Sequence, residues 1–247
     1  MVRGVRIVAA PCCGARYALP NYMSVNFLAF EYWTDGWREG SLMPNDEGLR
    51  RCQCGQFVLL KNLVQVDVEE RSPLASLSHV SAEQLPECIA SSASEDMELA
   101  ARLQYWRNLN HAYRELYRQH RDAKDAATKA KWLEARPASR SWWDKLRYRK
   151  PPSCNKPSNS PFSYPPYMPT PDQLENMAQL SDLLENRKDA SLNRHAIYLA
   201  ELYREQSRFD EAVWSLQDVE KGEADVTAKL ILSMVKKSVS APMRYRI

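Results

Sequence analysis

Six cysteines are the residues of this chain best suited to chemistry, and four of them fall in two tight pairs. Cys12-Cys13 is followed by Gly14, and Cys52-Gln53-Cys54 by Gly55. Thiolates are soft ligands, and four of them around one ion make a structural zinc centre. A metal-binding turn usually spaces its two sulfurs by two residues, so that both face one ion while backbone amides support them. Aligned on the glycines, Cys13 and Cys54 take the second ligand position, but the first falls on Ala10 and Arg51. That register favours a metal-free pair of turns whose cysteines pack as small apolar groups. Two alternatives stay open: a structural zinc on Cys12, Cys13, Cys52 and Cys54, or a disulfide from Cys12 or Cys13 to Cys52 or Cys54. A catalytic thiol has no support, because no histidine lies near these cysteines in sequence.

Other chemistry is hard to find. None of the seven glycines forms a phosphate-cradling loop, and no H-E-x-x-H or G-x-S-x-G is present. Glu69-Glu70 sits in polar sequence that leaves both carboxylates solvated. The sequence therefore offers no catalytic residue and no cofactor-binding residue, and it does not read as an enzyme. Zinc is the single cofactor it could accommodate.

The elements that would carry the cysteines are short strands. The apolar run from Val5 to Ala10 leads into the first turn and Phe57 to Leu60 leaves the second, so two β-knuckles face each other across a small sheet. Between them, Thr34-Asp35-Gly36 signals a hairpin with strands on either side. Met43-Pro44-Asn45-Asp46 marks the next bend, and Val66 to Glu70 a last exposed strand. This is the layout of a zinc ribbon. Asn26, Phe27, Ala29, Tyr32-Trp33-Thr34-Asp35-Gly36, Met43-Pro44 and Cys52 to Gly55 resemble a group of uncharacterised bacterial proteins in which an N-terminal zinc ribbon precedes a helical region. The resemblance covers about the first quarter of the chain and implies a fold more than an activity.

At 247 residues, two folded units joined by a linker are expected. Hydrophobic content of 44% and charged content of 26% suit an ordinary globular protein and exclude wholesale disorder. A net charge of +3 is too small to draw the whole molecule to nucleic acid or membrane. Paired, undispersed cysteines suggest a reducing compartment, and the localisation expected is cytoplasmic. Arg6 interrupts the first apolar run, which is too short for a signal-peptide core, and no uncharged run approaches the ~20 residues of a membrane span.

The fold class expected is α+β: a small N-terminal antiparallel zinc-ribbon-like sheet, a long amphipathic helix, then a short helical stack. Residues 1–70 form the ribbon-like domain and 71–94 a Ser-rich connector containing His79 and Cys88. Residues 95–150 form a long helical region, 151–171 a Pro-rich linker and 172–247 a second helical domain. Ser94-Glu95-Asp96 starts the long helix with a serine cap and acids in its first turn. Leu99, Leu103, Trp106, Leu109, Tyr113, Leu116 and Tyr117 give its inner face. Arg102, Arg107, Arg114, Arg118, Arg121, Lys124, Lys129 and Lys131 give a basic outer one. Arg140, Trp142-Trp143, Lys145, Arg147 and Tyr148 to Lys150 add a basic aromatic cluster that closes a core, stacks on bases or lies at a membrane interface, the first being favoured.

Thr170-Pro171-Asp172 opens the next helix, which ends near Asn186. From Arg194 to Val219, the positions Leu199-Ala200, Tyr203, Phe209, Ala212 and Leu216, with Ser207 in the turn, resemble a tetratricopeptide repeat. A single repeat cannot bury its own face, so helices before and after it must flank it. The resemblance implies a concave surface and a protein partner, with Tyr198, Arg204 and Trp214 as exposed anchors. The function expected is thus a non-enzymatic protein-interaction module, an adaptor or a toxin-neutralising immunity-type protein. The alternative is a nucleic-acid-associated ribbon protein using the basic helix and the Trp142 to Lys150 cluster.

Overall fold

The computed structural model describes residues 2–22, 29, 31–40, 48–66, 74, 76–135, 165–187, 192–217, 219 and 223–245. The architecture is α+β, as the sequence implies. Among the described residues, nine short strands form three antiparallel sheets of three: β1 (Val2–Ala9), β2 (Arg16–Tyr22), β3 (Glu31–Trp33), β4 (Arg38–Glu39), β5 (Leu49–Arg51), β6 (Phe57–Leu59), β7 (Val64–Gln65), β8 (Ser78–His79) and β9 (Arg244–Tyr245). Their orders are β2-β1-β7, β4-β3-β9 and β6-β5-β8. The helices are α1 (Leu85–Ala90), α2 (Glu95–Leu109), α3 (His111–Ala135), α4 (Pro171–Asn186), α5 (Leu192–Glu205), α6 (Phe209–Trp214) and α7 (Glu223–Val235).

The chain forms two compact units, residues 1–110 with 168–247, and residues 111–167. In the first unit α2 lies at the centre. Ser94 caps it by accepting a hydrogen bond from the Met97 amide, and acids fill its first turn. One side of α2, with Met97, Ala100 and Ala101, packs with Leu49, Phe57 and Leu59 of the strands and with Leu85 and Cys88 of α1. Leu103 and Trp106 pack with Met177, Leu180 and Leu184 of α4 and Leu202 of α5. Burial on several sides means that α2 has no basic outer face: Arg102 and Arg107 are buried, contrary to the sequence expectation. Arg102 pairs with Glu98 at 2.8 Å, and Arg107 donates to the Asp35 carbonyl at 3.1 Å. The stretch read as a connector also holds structure, since α1 places Cys88 fully in the core.

Thr170 caps α4 in a reciprocal box with Gln173. The tight turn between α5 and α6 passes through Ser207, whose φ of +62° is the left-handed conformation usually given to glycine. Ala200, Tyr203, Ala212 and Leu216 are buried between these helices and α7, as their spacing predicts. Strand β9 then returns to the β3–β4 hairpin. Trp33 pairs with Arg244 across β3 and β9, and Thr34 exchanges two 2.9 Å hydrogen bonds with the Met243 backbone. Gly36, at φ +80°, closes the β3–β4 hairpin against Arg107 and Tyr198, leaving no room for a Cβ.

The second unit contains α3, on which Tyr113 and Tyr117 are buried while Leu116, expected inside, is exposed. Tyr113 stacks edge-on against Tyr167 at 5.1 Å, and its hydroxyl donates to the Pro165 carbonyl. The Arg140 to Lys150 cluster, most of the Pro-rich stretch and the Met43 to Asp46 bend lie outside the described residues. Among the described residues no helix is long and apolar enough to cross a membrane.

Candidate metal centre

Two turns of the same design present the sulfurs. After β1, the Gly14 amide donates to the Ala10 carbonyl at 2.8 Å and the Ala10 amide to the Ala15 carbonyl at 2.9 Å. After β5, the Gly55 amide donates to the Cys52 carbonyl at 2.9 Å and the Cys52 amide to the Gln56 carbonyl at 2.8 Å. Gly14 and Gly55 take φ of +70° and +91°, a backbone that a side chain would strain. Each knuckle thereby directs its cysteines toward the other.

The four Sγ atoms lie within 4.8 Å of one another. Cys12 faces Cys54 at 3.5 Å and Cys13 faces Cys52 at 3.4 Å. Zinc–sulfur bonds of about 2.3 Å require tetrahedral sulfur–sulfur edges of about 3.8 Å. The two close pairs need open by a few tenths of an ångström and the wider separations close by up to about 1 Å, and the set could hold one metal ion. The expectation that these cysteines pack as small buried groups holds for Cys52 alone of the four; Cys12, Cys13 and Cys54 are exposed. The missing two-residue spacing is made good across the knuckles, because the adjacent Cys12-Cys13 and the Cys52-Gln53-Cys54 pair each divide their sulfurs between two opposite partners.

Tyr17 on β2 is a supporting residue that the cysteine pattern does not reveal. Fully buried, it accepts a hydrogen bond from the Gln53 amide at 3.1 Å, which leaves its own proton to be donated to Cys52 Sγ at 2.9 Å. Burial by itself would raise the Cys52 thiol, but hydrogen bonds from Tyr17, the Cys54 backbone and the Cys13 and Cys12 thiols outweigh it and bring Cys52 down to about 6. Burial of its sulfur among the other three, and then hydrogen bonding to Cys52, Cys54 and Cys13, pushes Cys12 up to about 12. Cys52 can thus shed its proton readily while Cys12 and Cys13, both raised, resist losing theirs, and a divalent ion at the centre would reverse that resistance.

The residues expected to meet a partner are scattered by comparison. Trp214, at the end of α6, is 71% exposed beside exposed Val213. Tyr198 is half-buried, with its hydroxyl accepting from Arg107 at 2.9 Å. Arg204 is fully buried, which corrects its expected exposure: its guanidinium is paired with Glu201 at 2.9 Å and donates to the Val239 carbonyl at 2.5 Å.

A second polar cluster, sealed inside the first unit, escapes sequence reading altogether. Asn110 Nδ2 donates to Asp35 Oδ2 at 3.2 Å and to both Glu205 oxygens at 3.2 and 3.3 Å, while Trp106 Nε1 donates to Glu205 at 2.9 Å. Burial, with Glu201 and Asp35 nearby, pushes Glu205 up to about 8. Asp35-Gly36 signals only a turn in the sequence; that its carboxylate accepts from Asn110, at the end of α2, has no local signature.

No protein-family model, curated protein or solved structure matches this chain.

Proposed function

We propose that the chain is a non-enzymatic protein-interaction module, acting in the cytoplasm as an adaptor or a toxin-neutralising immunity-type protein. The observation that carries this reading is Trp214, a large aromatic held 71% exposed at the end of an ordered helix. Exposed tryptophans next to apolar neighbours, here Val213, are characteristic anchors of protein interfaces. The α5–α6 hairpin, with small residues between its helices and Ser207 in its turn, is read as a solitary tetratricopeptide-type repeat flanked by α4 and α7. In this reading the cysteine knuckles hold zinc in a structural role, as the N-terminal ribbon of the bacterial proteins it resembles would, and free thiols for such a site require a reducing compartment.

Removing the C-terminal helices is not a clean test, because α4 and α5 complete the core around Trp106. A photo-crosslinking residue at position 214 of the full chain tests it directly. Position 214 should capture a protein, and the same residue at Met168, 86% exposed, should not. Equal capture at both positions, or retention of nucleic acid alone that about 200 mM salt removes, would overturn the proposal. The second outcome would favour the basic face of α3, where Lys129 and Lys131 are exposed.

A further inference from the structure

We propose that the two knuckles form a redox-releasable metal clasp, in which a hydroperoxide converts the four thiolates to the disulfides Cys12–Cys54 and Cys13–Cys52 and expels the ion. The inference rests on the metal reading of these cysteines. Three observations carry it beyond that reading. First, the sulfurs are paired across the knuckles at 3.5 and 3.4 Å, each within a short movement of the roughly 2.05 Å of a disulfide. Second, Cys12, Cys13 and Cys54 are exposed, so an oxidant in solution reaches at least one sulfur of each pair. Third, both links would join strand pairs that carry their own ladders, β1 with β2 and β5 with β6, so the ribbon does not depend on the ion alone.

The chemistry balances without another reductant or oxidant. An exposed thiolate attacks one peroxide oxygen and becomes a sulfenic acid, releasing water or an alcohol. The facing sulfur then attacks the sulfenic sulfur, forming the disulfide and releasing water. Each pair gives two electrons to one peroxide. For a zinc tetrathiolate, two hydrogen peroxides and four protons yield two disulfides, four waters and Zn²⁺. Cross-knuckle disulfides then replace the ion as the link between the turns. Addition of a dithiol reductant and zinc reverses the process.

The test uses the full chain loaded with zinc. Hydrogen peroxide should release one zinc per two peroxides consumed, read with a chromogenic chelator, while the far-ultraviolet circular dichroism stays constant. Trypsin leaves each knuckle on a single peptide, so the oxidised chain should give one cross-knuckle peptide pair lacking four hydrogens. Pairing is read from variants treated without metal. Cys12→Ala with Cys54→Ala, which keeps Cys13 and Cys52, should close its disulfide about tenfold faster than Cys12→Ala with Cys52→Ala, which keeps a mismatched pair. Zinc that binds but is not released, sulfinic acids in place of disulfides, links within a knuckle or to Cys88 or Cys154, or loss of secondary structure on release would each overturn the clasp while leaving the metal centre standing. A chain that takes up no zinc would overturn both.

Discussion

Two clusters of ionisable side chains in the same folded unit have opposite fates. Around Glu205 the carboxylates of Asp35 and Glu205 meet the donors Asn110 and Trp106 with every member buried. Around Cys52 four sulfurs gather, three of them on exposed residues, with Tyr17 and the turn amides supporting them. The first cluster brings its own hydrogen-bond donors and is complete as an internal joint. The second concentrates thiols that carry latent negative charge, and it is open to the outside. The contrast teaches that a polar cluster's supply of counter-donors, together with its exposure, separates a structural joint from a site for a ligand.

The largest effect should come from breaking the sealed side of the comparison. Arg204→Met removes the buried cation from Glu201 and leaves carboxylates without compensation, which should cost about 3–5 kcal/mol in urea unfolding. An unchanged midpoint would mean that Arg204 is a surface anchor after all. At the open cluster, zinc at about 100 times its dissociation constant should raise stability by about 2.7 kcal/mol. Cys13→Ala or Cys54→Ala should abolish that increment. Equal stabilisation of the variants would place the metal elsewhere.

The pH dependence sharpens the contrast further. Glu205 is raised from 4.5 to about 8 in the folded chain, so its protonated form is favoured by folding. The stability it contributes is whole below about pH 4.5 and is lost as pH rises to about 8, at up to about 1.4 kcal/mol per pH unit. Glu205→Gln, which keeps an acceptor for Trp106 without the charge, should flatten this slope and make the chain more stable than wild type at pH 8. A slope that persists in the variant would assign it to other groups. The smallest effect is expected at Trp214: Trp214→Ala should change stability by less than about 0.5 kcal/mol, as an exposed side chain does. A partner's affinity should nevertheless fall by at least ~2 kcal/mol if Trp214 anchors it.

These differences also explain what was legible in the sequence. Signals written within a few residues were readable: the knuckle glycines, the Asp35-Gly36 turn, the Ser94 cap, the helix start at Thr170-Pro171, and the small residues Ala200 and Ala212 at an interhelix spacing. Cysteine spacing was readable as a metal signature, but which sulfurs face each other was not, because a rule about sulfurs within one turn says nothing of partners 42 and 39 residues away. Arg102, Arg107 and Arg204 were expected outside because charge predicts exposure. Each is held inside by a carboxylate or carbonyl that burial brings to it. Tyr17, Glu205 and the pairing of β9 with β3 depend wholly on contacts between distant segments.

The hydrogen bond from the Met243 amide to Thr34 spans 209 residues, and it bears on how the chain comes off the ribosome. At a synthesis rate of about 5–20 residues per second, the β3–β4 hairpin waits on the order of 10–40 s for the strand that completes its sheet. Trp33, fully buried in the finished fold, spends that interval without its final cover. The chain must therefore pass through a nascent state with an unpaired β3 edge and an exposed tryptophan, the kind of surface that chaperones engage.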